Sequence, residues 1–368
     1  MSRRLLASPA GPDAYPAAFP VDRAALRRRL LAWYARHKRA LPWRGLRDPY
    51  RIWVSEVMLQ QTQIATALPF YQRFVARFPT LSALSRARES GVLAAWAGLG
   101  YYRRARHLRE AARLVVREHA GRVPDDPDAF GRLPGVGRYT MGAVLSIAFD
   151  RSLPALDGNV ARVLARLFAL PAAIRDPRGA KALWALAHAL VPARGAGDWN
   201  QAVMELGATL CLPRAPRCEA CPVRAQCRAL ALGRVGALPP VTPRRRSETV
   251  RRAVALIERR GRILVARLEG PLLEGMWEPP GADLAPGRPA RRALAAGLAG
   301  HGLSARFTPT GRTIRHTITH RDIEVEVWQA RLTGPVPRAR GVRFVKPEAP
   351  GVPLTALARK LAALRRAL

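Results

Sequence analysis

Four cysteines are confined to one short segment, and they restrict the local fold more than any other feature of the chain. They are Cys211, Cys218, Cys221 and Cys227, spaced C-x6-C-x2-C-x5-C. Zinc sites usually combine two short C-x2-C hooks, whereas a cubane iron–sulfur cluster takes four thiolates. A single compact loop supplies all four here, as such a cluster needs, which predicts a metal site before disulfides. Zinc and free thiols remain the alternatives.

Helical periodicity dominates residues 21–232. Apolar side chains recur at helical spacing, for example at Leu26, Leu30 and Trp33, and proline and glycine interrupt the pattern at intervals. We therefore expect this part of the chain to be an α-helical domain that includes the cysteine loop at 211–227.

The pattern changes beyond residue 232. Residues 233–249 are rich in proline and arginine and are expected to form a linker. Residues 250–368 contain a hairpin signal at Arg260-Gly261 and a period-two stretch, so they predict a smaller α+β domain. Residues 1–20 are expected to be a disordered tail.

The charge of the chain indicates a polyanionic partner. Its 368 residues carry a net charge of +36, which suits nucleic acid. Nearly all of the positive charge is arginine, and alanine and proline are also abundant, so compositional bias is an alternative source of part of the excess. No apolar run is long enough to span a bilayer and no signal sequence is evident, so we expect a cytoplasmic, nucleoid-associated protein without membrane contact.

The segment LPGVGRYTMGA predicts a tight turn followed by a helix. Gly135 and Gly137 allow close backbone approach, and the first turn of the next helix presents N–H groups that suit a DNA phosphate. An ordinary connection between two helices is the alternative for a Gly-x-Gly pattern alone.

Two carboxylates stand at unusual places. Glu56 lies in the apolar run IWVSEVML, where burial would raise the pKa of its carboxyl group and make it a proton donor near neutral pH. The alternative, which periodicity alone favours, is a glutamate on the polar edge of an amphipathic helix. Asp157 precedes an apolar helix, where it is either a helix cap or a carboxylate that stays ionised beside a developing cation. One acid and one carboxylate can break a glycosidic bond.

Six motifs occur in one order over roughly residues 25–230: LPWR, SEVMLQQTQ, GLGYYRRAR, LPGVGRYT, LDGNV and the cysteine loop. Together they closely resemble the MutY-type adenine DNA glycosylases of the helix-hairpin-helix, endonuclease III superfamily. The resemblance implies a monomeric base-excision repair enzyme with a 4Fe–4S cluster. Its substrate would be double-stranded DNA containing adenine opposite 8-oxoguanine or guanine.

The resemblance also implies catalytic roles. Glu56 would protonate N7 of the flipped adenine and later help to activate water, and Asp157 would stabilise the sugar cation at C1′. Tyr139 and Asn159 match residues that hydrogen-bond around Asp157 in the family.

Further positions match residues that contact adenine or DNA. They are Arg39, Leu41, Trp43, Arg44, Ile64 and Gln201 for the adenine pocket, Gln61 and Tyr101 as wedges in the base stack, and Thr62 and Leu99 beside 8-oxoguanine.

Position 139 distinguishes the two nearest enzyme classes. Endonuclease III-type glycosylase/lyases carry a lysine there that forms a Schiff base, whereas this chain has Tyr139, so the resemblance implies a monofunctional glycosylase. Some family members have a lysine where this chain has Ala161. The difference argues against slow, adventitious Schiff-base trapping of DNA by this chain, but it does not affect base excision. The alternatives are a pyrimidine glycosylase/lyase and a non-catalytic DNA-binding iron–sulfur protein.

The C-terminal segment GPLLEGMWEPPG resembles the Nudix-like domain of the same family. The stretch after it contains Asp283 as its only acid, so nucleotide hydrolysis is not expected. Ile318, Thr319 and His320 match a Phe-Ser-His motif that reads 8-oxoguanine in the family. Thr319 keeps a hydroxyl group, whereas Ile318 lacks the aromatic face that would stack on a base.

Overall fold

The computed structural model describes residues 22–240, 247–270, 273–318, 321–336 and 341–365. The tail expected at residues 1–20 lies outside these ranges, as do Thr319 and His320.

The chain divides into two compact units. One comprises Met1–Gln61 and Leu114–Pro243, and the other comprises Thr62–Arg113 and Arg244–Leu368. The helices between Thr62 and Arg113 therefore group with the C-terminal sheets, although the sequence pattern alone assigns them to the helical part.

The N-terminal part of the chain is helical, as the periodicity predicts. Its helices are α1 Arg23–His37, α2 Pro49–Leu59, α3 Ile64–Arg77, α4 Leu81–Arg86, α5 Glu89–Trp96, α6 Arg103–Glu118, α7 Pro127–Gly131, α8 Arg138–Phe149, α9 Gly158–Leu167, α10 Pro177–Leu190, α11 Ala196–Thr209 and α12 Arg228–Ala231. Short 3-10 turns lie at Cys218–Ala220, Arg224–Gln226 and Val235–Ala237.

Aspartate side chains define where several of these helices begin, because a carboxylate accepts first-turn N–H groups that have no partner within the helix. The capping residues are Asp22 for α1, Asp48 for α2, Asp126 for α7, Asp157 for α9 and Asp176 for α10. Proline follows the cap in α2, α7 and α10, where its missing N–H costs nothing.

The core of the first unit is formed by α1, α9, α10 and α11, and Cys211, Cys221 and Cys227 pack against it. Two glycines allow the backbones around this core to approach closely. A Cβ at Gly142 would lie 2.0 Å from the carbonyl oxygen of Pro154, and one at Gly207 would lie 2.7 Å from Cβ of Asn159. These close approaches fix α8 and α11 against the segment that carries Asp157 and Asn159.

The C-terminal part is α+β, as predicted. It contains β1 Glu248–Leu256, β2 Glu258–Arg259, β3 Arg262–Arg267, β4 Trp277–Glu278, β5 Gly281–Asp283, α13 Ala290–Ala299, β6 Ala305–Ile318, β7 Arg321–Leu332, β8 Val342–Val345 and α14 Ala356–Leu364.

Two sheets make up this part. One has the order β5-β1-β7-β6, with β1 and β7 parallel and the other pairs antiparallel. The other joins β2, β3 and β4, and β8 pairs with β3. The hairpin predicted at Arg260-Gly261 connects β2 and β3, and β7 shows the alternating burial that its sequence predicts.

No helix within the described ranges is long and apolar enough to cross a membrane.

Candidate active site

Glu56 is buried in the middle of α2. Its residue is 5% exposed, and every residue from Ile52 to Met58 is buried with it. Burial is the main cause that raises the pKa of the Glu56 carboxyl group to about 7, and the charge of Asp157 adds to the shift. A hydrogen bond from Tyr139 and the charge of Arg44 oppose it. The carboxyl group can therefore hold a proton near neutral pH, as the sequence predicts.

Tyr139 contacts Glu56 directly. Its hydroxyl group donates a hydrogen bond of 2.6 Å to Oε2 of Glu56. Burial raises the pKa of Tyr139 well above its usual range, so the phenol stays protonated. The charge of Asp157 also raises the pKa of Tyr139, so the three groups lie near one another. The hydrogen bonding of Tyr139 around Asp157 that the resemblance implies stays a prediction.

Asp157 is both a helix cap and part of the site. Its Oδ1 accepts the Val160 N–H at 2.7 Å, and Nδ2 of Asn159 donates to its Oδ2 at 3.1 Å. Burial raises the pKa of Asp157 above its usual range, although these hydrogen bonds and the charge of Arg162 oppose the shift. The cap is confirmed, and it holds the carboxyl group near enough to Glu56 for the charge of Asp157 to act on the pKa of Glu56. The role of an ionised carboxylate beside a developing cation stays a prediction.

A buried glutamate that sequence reasoning missed organises the two candidate pocket arginines. Oε1 of Glu205 accepts Nε of Arg39 at 2.6 Å, and Oε2 accepts Nη2 of Arg44 at 2.6 Å. Arg44 also donates to the Tyr34 hydroxyl group at 2.7 Å. Burial alone would raise the pKa of Glu205, but the Arg39 hydrogen bond and the Arg44 charge outweigh it, so the pKa is lowered. The signal for Glu205 was the same as for Glu56, a carboxylate in the apolar run AVMELGA.

The other candidates for the adenine pocket lie on three different elements. Trp43 is buried in the segment between α1 and α2, where the Leu41 carbonyl oxygen accepts the Arg44 N–H. Gln201 is buried on α11 and its Nε2 donates to the Gly197 carbonyl oxygen at 3.3 Å. Ile64 is the first residue of α3, in the second compact unit.

Of the four candidates for contacts with the base stack, Gln61 belongs to the first unit and Thr62, Leu99 and Tyr101 belong to the second. Gln61 and Tyr101 both have positive φ, at 57° and 50°, which is uncommon for residues with a side chain. Tyr101 is 42% exposed and Leu99 is buried. The exposed aromatic ring is therefore presented to solvent by a constrained backbone.

The turn before α8 has the geometry expected of a phosphate-binding hairpin. Gly135 has φ of 77°, and Gly137 caps α8 without any side-chain hydrogen bond to the first turn. A Cβ at Gly137 would meet no atom of the protein within 4 Å. Nothing in the protein itself therefore requires a glycine at this exposed position, whereas a closely approaching phosphate would require it.

All four cysteines line one cavity of about 30 Å³ in the first unit. Burial is the main cause that raises the pKa of the Cys221 thiol to about 11, and Cys211, Cys218 and Cys227 all add to the shift. Nη1 of the buried Arg166 lies 3.4 Å from Sγ of Cys211. Four thiols with an adjacent guanidinium fit an anionic thiolate cluster.

Two arginines of α9, both missed in the sequence, join the cysteine loop to the carboxylate. Nη2 of Arg162 donates to Oδ1 of Asn159 and its Nε donates to the Cys211 carbonyl oxygen, at 2.8 and 2.7 Å. Arg166 lies one turn further on and donates to carbonyl oxygens that include Leu212. Asp157, Asn159 and the cysteine loop are therefore held by one helix.

In the C-terminal part, the acidic residues near the Nudix-like segment are used in ion pairs. Arg252 pairs with Glu278 at 3.1 Å and with Asp283 at 2.7 Å, and Thr355 donates to Glu278. Helix α13 has no acidic residue, so it offers no carboxylates for Mg²⁺. Ile318 ends β6 and packs partly against an apolar cluster of this sheet.

Comparisons with known proteins agree with this architecture. Residues 54–188 match the HhH-GPD superfamily of base excision DNA repair proteins, and residues 253–364 match the NUDIX domain. The adenine DNA glycosylase of Rattus norvegicus is 39% identical, over 86% of this chain and 72% of that protein. The adenine DNA glycosylase of Homo sapiens is 38% identical, over 85% and 68%. A solved thermostable thymine-DNA glycosylase is 32% identical with a TM-score of 0.52, over 57% of this chain and 97% of that one.

Fold, site and comparisons together define a base-excision DNA glycosylase, a hydrolase that acts on N-glycosyl bonds. Within that class, the chain belongs to the adenine DNA glycosylase family.

The burial of Glu56 predicts a pH-dependent change in stability when the charge is removed. The pKa of Glu56 is about 7 in the folded protein against 4.5 ordinarily, so folding above pH 7 must bury an ionised carboxylate. Below pH 4.5 both states are protonated and this cost disappears. We expect Glu56→Gln to raise the free energy of unfolding by on the order of 3 kcal/mol above pH 7, and the gain to vanish as the pH falls to 4.5.

Urea denaturation at pH 8, 6 and 4.5 measures this change. Glu205→Gln is the matched control, because the lowered pKa of Glu205 means that its ionised form stabilises the fold. That variant should lose stability at neutral pH and lose less in acid. A difference between Glu56→Gln and wild type that does not vary with pH would contradict the assignment.

Proposed function

We propose that this protein removes adenine from duplex DNA when the adenine is opposite 8-oxoguanine or guanine, and that it does so without cutting the strand. The observation that carries the proposal is the pairing of a buried acid, Glu56, with a pKa of about 7, and a hydrogen-bonded carboxylate, Asp157.

Proton transfer to the base is the first step. The protonated Glu56 donates to N7 of an adenine flipped out of the helix, which converts the base into a neutral leaving group. The hydroxyl group of Tyr139 donates to Oε2 of Glu56, so it favours the carboxylate that remains after the transfer. Glu56 is then ionised and can accept a proton from the attacking water.

Departure of adenine leaves positive charge on the deoxyribose. Asp157 is held by the Val160 N–H and by Asn159, so its carboxylate needs little rearrangement to stabilise the charge at C1′. Because Gly207 lets α11 approach Asn159 closely, the second of these partners is itself fixed.

Adenine would be bound beside the ion-paired arginines. Glu205 satisfies Arg39 and Arg44 with short hydrogen bonds, which orients their remaining N–H groups. A polar site that is already oriented discriminates among bases better than a flexible one, since a wrong base leaves buried polar groups unpaired.

A strand-cleaving reaction requires an amine that can form a Schiff base with C1′. The side chain beside Glu56 is instead the protonated phenol of Tyr139. We therefore propose hydrolysis by water alone, which leaves an intact strand with an abasic site.

Removal of either carboxyl function tests this mechanism. We expect Glu56→Gln and Asp157→Asn to reduce single-turnover adenine release by on the order of a thousandfold or more, with DNA binding retained, because each amide keeps the shape but not the charge chemistry. Ordinary release by either variant would remove that residue from its role. With wild type, efficient borohydride trapping and strand cleavage without added base would favour a pyrimidine glycosylase/lyase instead.

The C-terminal part is proposed to read 8-oxoguanine through Thr319 and His320. 8-Oxoguanine differs from guanine by an oxygen at C8 and a hydrogen at N7, so a few hydrogen bonds carry the discrimination, each worth about 1–3 kcal/mol. We expect Thr319→Ala and His320→Ala to lower the ratio of excision opposite 8-oxoguanine to excision opposite guanine by roughly tenfold per 1.4 kcal/mol lost.

Excision rates from duplexes with adenine opposite 8-oxoguanine, guanine, cytosine or thymine measure this preference. Thr313→Ala, which changes an exposed threonine of β6, is the matched control. An unchanged ratio in both variants would assign the reading of 8-oxoguanine to Gln61, Thr62 and Leu99.

The cysteine loop is proposed to hold a 4Fe–4S cluster. When bound, the cluster would tie the loop together through four thiolates, and Arg166 would offset part of the negative charge. The loop packs on the core of the first unit and contacts α9 through Arg162 and Arg166, so the cluster would support the helix that begins at Asp157.

We expect about four iron atoms per chain and broad absorption near 400 nm in the purified protein. Cys218→Ser should lower iron content and thermal stability together, because one ligand of the loop is lost. Elemental analysis that finds zinc and no iron would overturn the assignment. A cytoplasmic location at chromosomal DNA is part of the same proposal.

A further inference from the structure

Tyr101 is held in a constrained turn between α5 and α6. Positive φ angles occur at Gly98, Gly100 and Tyr101, at 108°, 79° and 50°. For a tyrosine this conformation is strained and persists only where the surrounding contacts impose it.

The guanidinium group of Arg104 supplies such contacts. Its Cζ lies 5.3 Å from the centre of the Tyr101 ring and 5.5 Å from the centre of the Trp96 ring. Its Nη2 donates to the Gly100 carbonyl oxygen at 3.1 Å, and its Nε donates to the Tyr101 carbonyl oxygen at 3.4 Å. One side chain thus contacts both the ring of Tyr101 and the backbone that aims it.

Arg104 also reaches a second candidate for DNA contact. Its Nη2 lies 3.3 Å from Oγ1 of Thr62, the residue two positions before α3. The stretches around Thr62 and Tyr101 are far apart in sequence, and this side chain joins them within the second compact unit.

The other side of the guanidinium group is anchored in the protein interior. Trp96 is fully buried, packs edge-on against Phe74 at 5.5 Å, and donates from Nε1 to the Gly100 carbonyl oxygen at 3.1 Å. Arg104 therefore contacts one ring that is fixed in the interior and one ring, that of Tyr101, that is exposed to solvent. Burial lowers the pKa of Arg104 to about 10, so the group remains charged at neutral pH.

We propose that Arg104 is a positioning residue that holds Tyr101 and Thr62 in their DNA-contacting arrangement before DNA binds. The inference rests on the proposed function, in which Tyr101 is a wedge and Thr62 lies beside 8-oxoguanine. A wedge that is already ordered loses little conformational freedom when it enters the base stack. Arginine is required because a planar group must cover two rings and donate along two edges, which a lysine ammonium group cannot do.

Substitution of Arg104 tests the proposal in the full-length protein. Arg104→Lys keeps the charge, Arg104→Gln removes it, and Arg103→Gln is the matched control, since Arg103 is the exposed neighbour whose Nε contacts His107 at 3.2 Å. The melting temperature of each variant shows whether the fold is kept.

Two DNA duplexes distinguish an effect on the position of Tyr101 from an effect on cleavage of the glycosidic bond. We expect Arg104→Lys to slow single-turnover excision of adenine paired with 8-oxoguanine by about tenfold or more, because the wedge is no longer preordered. Excision of adenine opposite an abasic site, where no pairing has to be broken before the adenine is flipped, should change less than about twofold. Arg103→Gln should leave the ratio of the two rates unchanged.

A thermodynamic cycle in a background that lacks both positioned side chains shows whether Arg104 acts through them. If it does, adding Arg104→Lys to a variant with Tyr101→Ala and Thr62→Ala should cause little further loss. Independent, multiplicative losses would overturn the proposal, as would equal slowing of both duplexes by Arg104→Lys.

Amide hydrogen exchange in the free protein tests the role of Arg104 without DNA and without activity, so its outcome does not depend on the proposed function. Arg104→Lys should accelerate amide exchange in residues 97–102 by about tenfold, because the contacts that close the turn are weakened. If wild type fails to excise adenine, the proposed function fails and the exchange result still decides the role of Arg104 in the turn. Unchanged exchange in that turn would overturn the inference even in an active enzyme.

Discussion

The burial of one carboxyl group in α2 is the constraint on which the rest of the site depends. Glu56 is surrounded by apolar residues, and burial among them raises the pKa of its carboxyl group. The hydrogen bond from Tyr139 and the charge of Arg44 lower that pKa. Tyr139 lies only two residues after Gly137, the cap of α8. The turn at Gly137 and the hydrogen-bond partner of Glu56 are therefore parts of one helix start. In the proposed function, a phosphate bound at this turn would be held at a fixed distance from the base that Glu56 protonates.

Helix α9 holds the second carboxylate, Asp157, in position. Asp157 caps it, Asn159 orients Asp157, and Arg162 and Arg166 connect successive turns to the cysteine loop. A helix that has a polar contact on every turn cannot rotate about its axis without breaking several hydrogen bonds. This gives a structural reason for the cysteine loop, which is remote in sequence from Glu56, to lie against this helix.

The sequence predicts local features of the site well and long-range ones poorly. The capping position of Asp157 and the change from helices to sheets follow from the pattern over a few residues, whereas the burial of Glu56 was one of two alternatives that the apolar run left open. The hydrogen bond from Tyr139 to Glu56 and the ion pairs of Glu205 join residues far apart in the chain, and no periodicity reports them. The role of Arg104 could not be predicted for a different reason. In an arginine-rich chain a single arginine does not stand out, and only the structure shows its contacts with the rings of Trp96 and Tyr101.

The open space in front of Gly137 has a consequence for how such an enzyme searches a genome. Backbone N–H groups at the start of α8 would contact phosphate oxygens, which are alike at every nucleotide and carry no information about the bases. Contacts of this kind hold the protein in register with the duplex on any sequence and can be exchanged for those of the next phosphate as it moves. In the proposed function, this turn would therefore hold the protein on DNA of any sequence, and recognition of the mispair would rest on side chains elsewhere in the chain.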